Sequence, residues 1–245
     1  MADQKIIENK VNELTKKFGT LQKDIVEALF KLVEGKSNKE ALEILNEIDI
    51  NRVTQLKSAS IMASFTEGQT AVLASKSLFA PITESELRSL LIASEQYLGG
   101  EILSMGNTLK QEVLAGILNN RTPDQILDVI RSKGYGADVG MKRIVTDAMN
   151  NYSRSVSRLM MDEAPEETKY IYIGPADQKT RNFCLSAIQL GAVTLKQIKS
   201  MGGEYVASLT EGGGINCRHS WEQASSDVRG QFYRKEEAEE LIENA

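Results

Sequence analysis

Lys169-Tyr170-Ile171-Tyr172-Ile173-Gly174-Pro175 is where the chain changes character. Alternating tyrosine and isoleucine suit a pleated, half-buried strand, and the Gly-Pro pair that follows is a turn signal. Upstream of Pro165 no comparable run occurs, and apolar residues recur at helical spacing instead. The reading that follows is a mainly α protein with a small C-terminal α+β module. Its long helices pack as a bundle or arm, and a short β-sheet lies in the C-terminal part. The expected division is a helical region over residues 1–164 and the module over residues 165–245.

Working towards the N-terminus, Asp138 to about Glu163 reads as a helix, with Met141, Ile144, Val145, Ala148, Tyr152, Val156 and Leu159 on its apolar side. Lys142, Arg143, Arg154 and Arg158 make this stretch basic, either as a solvated face or as a contact for DNA or an acidic partner. Thr122-Pro123-Asp124 starts the helix before it, and Gly134-Tyr135-Gly136 closes that helix. Thr83 to Glu86 has the form of a helix start, and the long helix it opens meets Gly99-Gly100, where a kink or break is expected. A helix over about 51–79 precedes Pro81, and a shorter one covers 38–47.

At the far end, Ile7, Val11, Leu14, Phe18, Leu21, Ile25, Ala28 and Leu32 follow alternating steps of four and three. Such a seam belongs to a helix that meets another helix, within the chain, in a second copy of it, or as a docking arm for another protein. Gly19-Thr20 either interrupts that helix or is carried through it.

Towards the C-terminus, a helix is expected from Asp177 to about Leu190, and Thr194 caps a short one over 195–201. Gly212-Gly213-Gly214 then leads into a strand over residues 215–221, and a charged helix over 226–243 finishes the chain. The glycine run lacks the lysine and the helix start of a phosphate loop, so it reads as a turn.

The composition excludes several classes. A net charge of −5 argues against a protein devoted to wrapping nucleic acid. No run of apolar residues is long enough to span a membrane, and the N-terminus carries no apolar signal core. Two cysteines, Cys184 and Cys217, are too few for a disulfide framework and fit a reducing cytoplasm.

Two blocks carry something more specific. The first is Tyr-Ile-Tyr-Ile-Gly-Pro-Ala-Asp-Gln-Lys-Thr-Arg-Asn-Phe-Cys, residues 170–184. The second, about thirty residues later, is Gly-Gly-Ile-Asn-Cys-Arg-His-Ser-Trp, residues 213–221. In order and spacing they resemble the head morphogenesis domain of the Mu F-type minor head proteins of tailed phages. That family has a strand, an Asp-x-x-Thr-x-x-x-Cys helix start, a variable middle and a closing Cys-Arg-His or Cys-Arg-Cys strand. The resemblance covers about residues 120–233, although many relatives carry more cysteines.

The resemblance implies a minor structural protein of the phage head, made in the bacterial cytoplasm and lodged in the virion near the portal and the head interior. Portal and other head proteins are the implied partners, and the helical region would be a docking arm for the portal or another of them. Packaged DNA is a further candidate, and the roles are head assembly, DNA packaging or ejection. The rival readings are an enzyme or nuclease-like effector on the same module, or a helical protein that oligomerises through the 7–32 seam.

Asp177, Thr180, Arg181, Cys184, Asn216, Cys217, Arg218, His219 and Trp221 form the motif set. Asp177 and Thr180 are expected to cap a helix, with Cys184 two turns along on the same face. Cys217 and His219, two apart on a strand, would point the same way. The cysteines therefore read as plain buried thiols, as a disulfide, or, with His219 and with Asp177 or water as a fourth ligand, as a zinc site. No other cofactor is implied. His219 is the sole histidine and so the only histidine candidate for a general base, but no triad or acidic metal cluster accompanies it. The chain is therefore read as non-enzymatic, with no catalytic residue assigned.

Overall fold

The computed structural model describes residues 2–76 and 82–224. Within them the order is α1 (Ala2–Val33), α2 (Asn38–Glu47), α3 (Ile50–Lys76), α4 (Glu84–Leu118), α5 (Pro123–Ser132), a π-helical turn (Ala137–Met141), α6 (Lys142–Glu163), β1 (Lys169–Ile173), α7 (Asn182–Gln189), β2 (Val193–Thr194), α8 (Leu195–Met201), α9 (Gly203–Glu211) and β3 (Ser220–Gln223). The fold is mainly helical with a small antiparallel sheet near the C-terminus, as the sequence predicts. The helix expected over 226–243, and the end of the one expected to reach 79, lie outside the described residues.

Helix starts follow their capping chemistry. At Ser37, Thr122 and Thr194 the hydroxyl accepts from the backbone N–H three residues on, where a Glu or Gln side chain returns the bond. Thr83 and Glu86 make the same exchange ahead of α4. Neither glycine site interrupts its helix: α1 runs through Gly19-Thr20, and α4 runs through Gly99-Gly100. Each glycine costs about 1 kcal/mol of helix propensity, which tertiary burial over helices this long outweighs.

By its contacts the chain forms two compact units, one of residues 5–70 and 92–148, the other of 1–4, 71–91 and 149–245. In the first, the α1 seam is used internally. Leu14, Phe18 and Ile25 have no exposed surface, and the buried stripe continues through Leu29 and Val33 while Leu32 is 52% exposed. The step therefore relaxes to the 3.6-residue helical period, and the seam is covered by the chain's own helices rather than held open for a second copy. A Cβ at Gly106 would collide with Thr54 Oγ1, so α3 and α4 touch closely there.

In the second unit, β1 is the central strand of the order β2-β1-β3, antiparallel to both neighbours. Tyr172 pairs with Trp221 and Ile171 with Glu222. Tyr170, Tyr172 and Trp221 line one face and pack on Cys184, Ala187, Ile198 and Leu209. The unit reaches back beyond Pro165 to Met149 because α6 is bonded into the segment before β3, as described next.

Candidate functional site: a buried thiol–imidazole cluster

Residues 177–181, expected to begin a helix, continue the turn that opens at Gly174-Pro175, and α7 starts only at Asn182. Asp177 Oδ1 accepts from the Lys179 N–H (2.9 Å), and the Thr180 N–H donates to the Asp177 carbonyl (2.8 Å). Thr180 Oγ1 accepts from the Asp177 N–H (2.9 Å) and donates to the Pro175 carbonyl (2.8 Å). The local pairing of Asp and Thr thus closes a turn rather than capping a helix, since short polar side chains can satisfy either. Asp177 therefore does not share a helical face with Cys184. Its carboxylate is exposed and paired with Arg218 through two bonds of 2.7 and 2.8 Å, so it is no ligand to the cysteines. That guanidinium, aided by the Lys179 N–H, holds the Asp177 carboxyl far below the usual carboxylate range.

Gly212 to Gly214 form the expected turn, but residues 215–219, expected as strand, continue it as an irregular loop, and pairing begins only at Ser220. Gly212, Gly214 and Asn216 have positive φ (62°, 93° and 60°), which extended backbone cannot accommodate. Three arginines secure this loop. Arg154, 3% exposed, donates from Nε to the His219 carbonyl (3.0 Å) and from a terminal nitrogen to the Cys217 carbonyl. Asn150, one turn back on α6, donates to the same Cys217 carbonyl (3.2 Å). Arg181, just before α7, donates to the carbonyls of Gly213 (2.9 Å) and Ile215 (2.5 Å). Arg218 completes the set through its pair with Asp177.

Those clamps bring Cys184, Cys217 and His219 together, with ligand atoms within 4.8 Å of one another and every side chain buried. The two Sγ atoms are 3.6 Å apart, and Cys217 Sγ is 3.6 Å from His219 Nδ1. The Tyr172 hydroxyl lies 3.7 Å from Cys217 Sγ, and its ring stacks on the His219 imidazole at 5.5 Å between centroids. A Cβ at Gly213 would strike Cys184 Sγ, and one at Gly174 would strike the His219 ring. His219 Nε2 is buried without a hydrogen-bond partner among the described residues.

The sulfurs share a proton unequally. The Cys184 thiol donates to Cys217, and the His219 side chain and the Gly213 and His219 N–H groups add to it, which favours the Cys217 thiolate against the cost of burial. The same bond, with burial, holds the proton on Cys184. Burial keeps the Tyr172 phenol protonated. Chemically the cluster offers two soft sulfurs and an imidazole, a set that can hold a metal or form a disulfide. As a nucleophile–base pair it is closed, because Cys184, Cys217 and His219 are 1–3% exposed and a substrate has no approach.

Trp221, on β3, packs against Tyr172 at 5.0 Å and donates from Nε1 to Ser208 Oγ on α9 (2.8 Å). Asn216 sits on the exposed crest of the loop. The four basic residues of 142–158 do not form one face. Arg154 is inside the protein and Arg158 pairs with Asp162 (2.8 Å), while Lys142 and Arg143 are exposed in the other unit. The expected nucleic-acid contact therefore loses its Arg154 member to the fold.

Sequence reasoning gave no site role to Tyr172, Asn150 or Ser208, and none to Arg154 as a clamp. Asn150, Ser153, Arg154, Ser157 and Met161 recur at helical spacing as a second buried stripe opposite the apolar one, a burial that their mostly polar types do not announce. Compared with protein-family models, curated proteins and solved structures, the chain matches none of them.

Proposed function

We propose that this chain is a minor structural protein of a tailed-phage head, placed near the portal and the head interior and serving head assembly, DNA packaging or ejection. The observation that supports it is the behaviour of the two blocks on which the resemblance rests. Residues 170–184 and 213–221 are apart in sequence, yet Tyr172, Asp177, Arg181 and Cys184 of the first are each bonded to the second. Arg181 grips the Gly213 and Ile215 carbonyls, Arg218 returns to Asp177, and Cys184 faces Cys217. The motif residues thus act as architecture, which fits an assembly component better than a catalyst.

The enzyme reading has less support, because its only thiol–imidazole pair is buried. A protein oligomerising through the α1 seam has less still, because the seam is covered within its own unit. Partners are then sought among portal and head proteins. Quantitative mass spectrometry of purified particles of a phage encoding the chain tests the reading. A few copies per particle, far below the major capsid protein, is the expected result. Clean particles without the chain would remove the virion assignment.

A further inference from the structure

We propose that Cys184, Cys217 and His219 are three ligands of a structural zinc ion that pins α7 to the loop ahead of β3. The argument rests on geometry and is independent of the phage-head reading. Tetrahedral zinc with bonds of about 2.3 Å to sulfur and about 2.0–2.1 Å to nitrogen sets its ligand atoms about 3.8 Å apart for two sulfurs and about 3.6 Å for sulfur and nitrogen. The observed edges are 3.6 Å between the sulfurs and 3.6 Å from Cys217 Sγ to His219 Nδ1. The third edge lies within 4.8 Å.

The Tyr172 hydroxyl lies beside the three ligands, 3.7 Å from Cys217 Sγ. Two thiolates and an imidazole are soft and borderline donors, which select zinc over magnesium or calcium.

Two further observations point to a ligand. His219 is 2% exposed, yet the protein leaves its Nε2 without a partner and offers its Nδ1 only a sulfur. Coordination through Nδ1, the nitrogen that faces Cys217, gives that atom a full partner in place of a thiol. The backbone is also shaped around the sulfurs, since any side chain at Gly213 would displace Cys184 Sγ. Thiols must lose their protons to bind, and a site assembled from residues this far apart in sequence makes metal uptake part of folding.

The test uses the full chain, unfolded in chelator, reduced, and refolded with zinc, with magnesium or without metal. One zinc per chain and a thermal midpoint raised by zinc but not by magnesium are expected. Cobalt(II) in its place should give the intense visible bands of a tetrahedral site together with thiolate-to-cobalt charge transfer. Cys184→Ser, Cys217→Ser and His219→Ala should each weaken zinc binding by about a hundredfold or more. Should a variant fail to refold, the cobalt spectrum of the unaltered chain decides. Refolded protein that takes up no zinc, that closes a Cys184–Cys217 disulfide with metal present, or whose zinc is untouched by all three substitutions would overturn the proposal.

Discussion

Arg154 shows how much one residue can carry in this protein. Its guanidinium is the donor for two carbonyls of the loop that presents Cys217 and His219. Replacing it by methionine keeps most of the volume but takes this donor from the His219 carbonyl and leaves the Cys217 carbonyl to Asn150, and should destabilise the unit by about 1–3 kcal/mol in denaturant unfolding. A loss under about 0.5 kcal/mol would contradict the clamp. The Asp177–Arg218 pair sets a pH dependence. The folded carboxyl ionises below its unfolded value of 3.8, so the pair stabilises above that value and the contribution fades as pH falls through the folded one. Asp177→Asn should therefore lower the urea midpoint at about pH 6 and make no difference in strong acid; a gap that persists unchanged at low pH would contradict the pairing. At this scale the sequence revealed the membership of the cluster but not its cause. Cys217 and His219 do converge, yet from a left-handed loop rather than a strand. Arg154 reads as a surface cation from its type alone, because nothing local reveals that the opposite face of α6 is covered.

At the level of elements, the long helices were legible because their periods are sustained, and Thr83 with Glu86 marks the start of α4. Among the short elements, α2, α5 and α8 were legible from their caps, whereas α9 and β2 were not. α9 has no N-cap side chain, beginning after Gly202 at φ 66°, and β2 is two residues long, too short for any period. The turn at Asp177 was missed because Asp-x-x-Thr serves a turn as well as a helix start. The glycines of α4 make a paired prediction. Gly106→Ala should cost about 1–3 kcal/mol by overpacking against Thr54. Gly100→Ala, where a Cβ meets nothing within 4 Å, should gain up to about 1 kcal/mol. Thermal melts of the two variants check both signs, and equal effects would refute the close α3–α4 contact.

For the whole molecule, the seam of α1 belongs to the core of the unit formed by residues 5–70 and 92–148. Deleting residues 1–35 should therefore cost helical signal and cooperativity in that unit. Recovery of a fully folded, smaller monomer would mean that the seam serves a second copy instead. The mainly α organisation was readable from apolar spacing and few prolines. The grouping of residues 71–91 with 149–245 was not, because it depends on contacts distant in sequence. The central claim, a protein whose interlocked C-terminal blocks serve the phage head, is tested most directly by complementation. A phage with a nonsense codon in this reading frame should yield few infectious, DNA-filled particles. The unaltered chain supplied in trans should restore the yield, whereas a chain carrying Arg181→Ala and Arg218→Ala should not. Normal yields of filled, infectious particles without the chain would contradict the account.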